Sequence, residues 1–171
     1  PDPSDGRRAL VSLTATGRAE LEADRRTRLY ELGQHLAESL DPADIAQAAV
    51  NGVADLLDVP EVSIIYHDAE TDLLHVLGAS GPIIQQMRGS TRPLNEIPDV
   101  ERVIRTRTIE AEVDMMGEPT EENALARSLG FTASLLLPVL VADRVIGALT
   151  LNETRGPRAF SQDELNLVQS V

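Results

Sequence analysis

The chain has 171 residues, 42% of them hydrophobic, and its 28 acidic residues against 15 basic ones, all Arg, set the net charge at −13; that supplies one good-sized domain plus an appendage. There is no Cys, which excludes disulfides, thiolate metal sites and cysteine nucleophiles. The excess of acid disfavours wrapping nucleic acid or an anionic membrane, and two Tyr, two Phe and no Trp leave little for stacking bases.

The charge is unevenly spread. Residues 1–28 hold six Arg against five acids, and residues 29–171 hold nine Arg against 23 acids. A junction near residue 28 is therefore expected. The chain begins with Pro and ends inside a helical pattern, so it reads as a piece of something longer. No apolar run reaches the roughly 18 residues of a membrane span, and no signal peptide is visible, so a cytoplasmic protein is expected.

In chain order, RRALVSL (7–13) reads as a short strand after the Asp5-Gly6 turn. Thr14 caps a predicted helix running to about Leu40, with Leu29, Leu32, Leu36 and Leu40 on one stripe. Asp41-Pro42 breaks it and starts the next helix, Asp as N-cap and Pro in the first turn. There Ile45, Ala48, Ala49, Gly52, Val53, Leu56 and Leu57 form the expected buried stripe, and Pro60 ends the helix.

VSIIYH (62–67) and LLHVLGA (73–79) read as a hairpin around DAETD. Residues 80–95 read as loop. A short helix follows over Ile97–Thr106 with Val100, Val103 and Ile104 on one face, then a strand at 108–113, a loop at 114–123 and a short helix at 124–129 closed by Gly130. TASLLLPVLV (132–141) and RVIGALTLN (144–152) are the clearest strands, joined at Ala142-Asp143. Ser161 and Glu164 make a capping box for a last helix with Leu165, Leu167 and Val168. The fold class is α+β, an antiparallel sheet with helices at both chain ends packed on one face.

This order, and above all GFTASLLLPVLVADRVIGALTLNETRGPRAFSQDELNLVQ, resembles the GAF domain family over roughly residues 26–171. The resemblance implies a PAS-like sensory module, assigned here to residues 28–171, that takes a small ligand, haem, a bilin or a cyclic nucleotide and forms a homodimer through its terminal helices. Residues 1–27, DPSDGRRALVSLTATGRAELEAD at their core, resemble the wing and following helix of MarR-type winged-helix regulators. Asp5, Arg7, Leu13, Thr14 and Gly17 match, and the resemblance makes Arg7 or Arg8 the wing residue entering the minor groove. The recognition helix of that family is missing, so DNA contact is expected only through parts outside this chain.

The residues narrow the ligand. Bilin attachment and methionine-sulfoxide reduction in this family need Cys, and the cyclic-nucleotide signature is absent. Haem needs one axial His, for which His35, His67 and His75 are the candidates. The cofactor is otherwise unassigned, no metal site is expected, and no nucleophile with its base is visible, so an enzyme is not expected. Paired acids such as Glu110 with Glu112 and Glu121 with Glu122 read as a solvated face. The ligand pocket is expected between the sheet and segment 80–129, with Tyr66, His75, Arg92, Met115, Met116, Arg127 and Phe131 as candidate lining. The function expected is a small-molecule sensor of a bacterial signalling or transcription regulator; the alternatives are a dimerisation module without ligand and a haem-based gas or redox sensor.

Overall fold

In the computed structural model the described residues are 41–169, together with Gly17, Ala19, Glu20, Ala23, Asp24 and Thr27, which are helical. Arg7, Arg8, His35 and the stripe Leu29, Leu32, Leu36 and Leu40 lie outside them. Residues 41–171 form one unit and residues 1–40 another.

Helix α1, Pro42–Leu57, starts where Asp41 Oδ1 accepts the Ala43 N–H at 2.9 Å, with Pro in the first turn. It ends at Asp58, in the left-handed region at φ 49°. Its buried side is Ala46, Val50, Val53 and Leu57; of the stripe expected from the sequence Val53 and Leu57 are buried, while Ile45 is 51% and Leu56 56% exposed. The helix is apolar around more than half its circumference, so two stripes of similar spacing compete. Contact decides between them. Gly78 leaves room for the Ala46–Gln47 backbone to sit on β2, and that contact turns Ala46 inward. Gln47 completes the seat, exchanging two hydrogen bonds with the Ala79 backbone.

Six strands follow: β1 (Glu61–Asp68), β2 (Leu73–Ser80), β3 (Thr91–Pro93), β4 (Glu110–Glu112), β5 (Ala133–Val141) and β6 (Arg144–Glu153). They form one antiparallel sheet in the order β3-β2-β1-β6-β5-β4. The Ala142-Asp143 turn holds both residues at positive φ, 48° and 62°, matching the twist of a two-residue hairpin. The stretch expected as loop, 80–95, contains β3 and two 3-10 turns, Ile84–Met87 and Leu94–Glu96. Elements of three or four residues are too short to show a period.

Helices α2 (Pro98–Thr106), α3 (Ala124–Ser128) and α4 (Gln162–Val168) complete the unit. The capping box of α4 forms fully, the Ser161 and Glu164 side chains each accepting the other's backbone N–H. The terminal helices share a sheet face: Val50, Val53 and Leu57 of α1 and Val168 of α4 pack with Val62, Leu135, Leu137, Leu149 and Leu151. Helix α2 packs on the opposite face, where Val100, Val103 and Ile104 meet Ile65, Leu74, Leu136 and Ala148. Among the described residues no helix is long and apolar enough to cross a membrane.

One polar cluster ties the end of α1 to β6 and α4. Arg158 donates to the Leu57 and Asp58 carbonyls at 2.7 and 2.9 Å, and Arg155 to the Asp58 carbonyl at 2.6 Å, capping the open end of α1. Both guanidinium groups also pair with Glu153, whose side chain is 5% exposed, and Arg158 reaches Glu164 at 2.8 Å. Arg158 lies over the Phe160 ring, 4.7 Å from its centroid. Hydrogen bonds from Arg155 and the backbone outweigh the cost of burial and hold the Glu153 carboxyl at about 2.

Gly78→Ala puts a Cβ 2.6 Å from Ala46 C and O, and is expected to cost about 1–3 kcal/mol in urea unfolding. Gly52→Ala, in the same helix that Gly78 seats and with nothing within 4 Å, is expected to gain roughly 0.5–1 kcal/mol. Because folding lowers the Glu153 pKa from 4.5 to about 2, its contribution is complete above pH 4.5 and is lost as pH falls toward 2. Glu153→Gln is therefore expected to be less stable at pH 7 by on the order of 2–3 kcal/mol, with the gap closing between pH 4.5 and 2 in acid titrations followed by circular dichroism.

Candidate functional site

The sheet face turned away from α1 and α4 carries a cavity of about 90 Å³. Its floor comes from alternate residues of neighbouring strands: Ile65, Leu136, Thr150 and Asn152. The floor is not wholly apolar. Thr150 shares a 2.7 Å hydrogen bond with Ser63 of β1, and Asn152 lies two residues along β6 on the same face. Above the floor stand the turn at Ile84–Met87, the head of α2, and α3 with Phe131 behind it.

Each part of this roof is held by a polar group, and two of these, Glu61 and Asn123, are buried. Glu61, buried at the start of β1, accepts the N–H groups of Ile83 and Ile84, the latter at 2.8 Å. That fixes the turn that delivers Ile84 and Met87. Arg102 of α2 donates to Glu110 of β4 and, at 2.7 Å, to Glu122 before α3. Its pKa is raised by those two carboxylates. Asn123 is buried and central to the next loop. It exchanges hydrogen bonds with Thr120, donates to Glu112 and the Glu118 carbonyl, and accepts from Arg127 at 2.7 Å. Glu110 and Glu112 are half-buried and bonded to Arg102 and Asn123, not the solvated face the sequence suggested, while Glu121 and Glu122 are exposed as expected. A row of acids looks the same in sequence whether or not Arg102 and Asn123 fold back onto it.

Of the residues singled out from the sequence, Arg92 and Phe131 line the cavity. Met115 is buried against Phe131, Ile84 and Ala79 and fills core, while the adjacent Met116 is 49% exposed. Arg127 is occupied with Asn123 and the Thr120 carbonyl. Tyr66 and His75 face each other across β1 and β2, ring centroids 6.1 Å apart, on the sheet face opposite the cavity. His75 alternates with Leu74 and Val76, and those two are the ones that reach the cavity. His67 is engaged by Asp72 at 3.0 Å. Among the described residues no cluster of three His, Asp or Glu is arranged to hold a metal ion.

The sequence reading missed Asp99, Met87, Leu125 and Asn152, all cavity residues. Asp99 is the informative one. It sits in the first turn of α2, where its Oδ1 accepts the Val100 N–H at 2.9 Å. Burial, with a smaller push from Glu112, raises its pKa above the ordinary 3.8 despite that bond. It forms no ion pair among the described residues. A raised carboxyl pKa means the folded state prefers the neutral acid, so this group's contribution to stability is greatest below pH 3.8 and falls as pH rises through the folded pKa. Asp99→Asn is accordingly expected to melt higher than the parent at pH 7 and to lose that advantage below about pH 3.5, as read by scanning calorimetry.

The sequence model of the GAF domain family matches residues 41–171. No curated protein sequence matches the chain significantly. Similar solved structures include the phycoerythrobilin-bound GAF domain of a cyanobacterial phytochrome, 19% identical with a TM-score of 0.65 over 94% of this chain and 91% of that one. The GAF domain of an Acinetobacter phosphoenolpyruvate-protein phosphotransferase is 21% identical, TM-score 0.63, over 85% and 86% of the two chains. Residues 122 to 287 of a methyl-accepting chemotaxis protein are 18% identical, TM-score 0.64, over 80% and 87%. With its six-stranded antiparallel sheet, terminal helices on one face and cavity on the other, the chain belongs to the GAF domain family.

Proposed function

We propose that residues 41–171 are a small-molecule-sensing domain of a signal-transduction or transcription-regulatory protein, with the cavity as its ligand site. The observation that carries this reading is the division of the sheet into two faces. The cavity lies on one face and both terminal helices pack on the other, so the same strands touch both. Leu136 and Thr150 reach the cavity, and their neighbours Leu135, Leu137, Leu149 and Leu151 pack beneath α1 and α4. A ligand that widens the cavity displaces those strands and with them the helices that lead to neighbouring domains. The chemotaxis and phosphotransferase origins of similar structures support a signalling context. Homodimerisation through the terminal helices, and DNA contact through a winged-helix part outside this chain, belong to the same proposal.

Haem is the less favoured ligand. His75 faces away from the cavity, His67 is engaged by Asp72, and about 90 Å³ is far below the roughly 300–1,000 Å³ of drug-sized sites. The small volume instead supports a second reading, a dimerisation module whose pocket is closed.

The test is ligand-observed NMR of the purified chain against a panel of small metabolites, repeated with Leu125→Trp. Leu125 is partly exposed on α3, so the larger ring is expected to fill the cavity without disturbing the core. Binding that disappears in Leu125→Trp, with ligand-dependent hydrogen exchange in α1 or α4, is the expected outcome. No binding by any member, with Leu125→Trp as stable as the parent and the dimer intact, favours the closed module.

A further inference from the structure

The hydrogen-bonding inventory of the cavity is lopsided. Asn152 is 6% exposed and lines the floor; its amide nitrogen points to Thr150 at 3.4 Å, and its Oδ1 accepts nothing among the described residues. Asp99 brings a carboxylate that receives only backbone N–H donors at the head of α2. Glu122 brings another, already matched by Arg102. The one cationic side chain on the wall, Arg92, has 43% of its side chain in solvent and leans toward Glu96 at 3.9 Å. The cavity thus offers the Asp99 carboxylate and Asn152 Oδ1 as acceptors beside the hydroxyls of Ser90 and Thr150, and the unmatched charge on its wall is negative. Apart from Ser90 and Thr150, the remaining lining is largely hydrocarbon, including Ile65, Leu74, Met87 and Phe131. A carboxylate partly withdrawn from water costs free energy unless a cation meets it. The raised pKa of Asp99 is the same deficit seen from the protein's side.

We infer that the cavity takes a small aliphatic amine, its protonated nitrogen paired with Asp99 and its hydrocarbon body held against the apolar walls. This rests on the sensing reading above and narrows it to a ligand class. The charge favours a cation over an anion. The volume, about 90 Å³ against about 150 Å³ for an apolar cavity that admits benzene, favours a body of a few carbons. Asn152 Oδ1 supplies a second acceptor for any further N–H or hydroxyl the ligand carries.

Three near-isosteric probes separate charge from shape: 3-methylbutylamine, 3-methylbutan-1-ol and 3-methylbutanoate, titrated by NMR into the full chain, into Asp99→Asn and into Leu125→Trp. The amine is expected to bind at least about tenfold tighter than the alcohol, with the acid weakest. Asp99→Asn, which keeps the shape and the acceptor for the Val100 N–H, is expected to cut the amine's advantage to less than twofold while leaving the alcohol unchanged. Leu125→Trp is expected to remove all binding. If alcohol and amine bind equally, or Asp99→Asn leaves the preference intact, the amine assignment is overturned while the sensing reading stands. If none of the probes binds, the amine assignment also falls, and the wider metabolite panel decides the sensing reading separately.

Discussion

Everything in this domain depends on the two-residue alternation of β5 and β6. Along Leu135-Leu136-Leu137 and Leu149-Thr150-Leu151, successive side chains enter different compartments, one packed under α1 and α4 and the other lining the cavity. A slip of one residue in either strand would exchange the two, putting Thr150 and Asn152 beneath the helices and leucines into the cavity. The Ala142-Asp143 turn guards against that slip by setting the hairpin register. It does so with two non-glycine residues in the left-handed region, a small local strain borne by a well-packed hairpin.

The two faces are built by different physics. Under the terminal helices the contacts are almost all hydrocarbon, closed at one corner by the Glu153–Arg155–Arg158 cluster. Over the cavity the roof consists of short pieces, and beyond α2, anchored by Val100, Val103 and Ile104, they bury little apolar surface of their own. Charged and amide groups position them instead: Glu61 for the 3-10 turn, Arg102 for α2 against β4, Asn123 for the loop before α3. Such groups hold a geometry without filling space. That is how a cavity persists in an interior that would otherwise pack to completion.

This division explains what was legible in the sequence. Local signals were readable: Asp41-Pro42, the Ser161–Glu164 capping box, the Ala142-Asp143 turn and the long strands each need only neighbouring residues. The buried side of α1 was not, because two apolar stripes were available and Gly78, on another element, chose between them. The roof was legible as irregular and no further. Glu61 finds its partners 22 and 23 residues away, and Arg155 reaches Asp58 97 residues back. Asp99 stood out in no way among 28 acids, since what distinguishes it is the missing cation, and a missing partner leaves no trace in a sequence. Tyr66 and His75 misled for the opposite reason. Their residue types suggested a ligand, but strand alternation turned them away from the cavity.

The sheet's outermost strands, β3 and β4, are three residues each, and beyond Leu136 the flank of β5 has no partner in β4. An open flank of backbone is a template on which another chain can add, and here it includes the exposed Leu140 and Val141. Pro138 sits within it, presenting no N–H, and the net charge of −13 sets copies of the chain against one another. Pro138 and this mutual repulsion both oppose edge-on pairing of copies of the chain. High salt or acid, by weakening the repulsion, would leave Pro138 as the main remaining barrier to edge-on stacking.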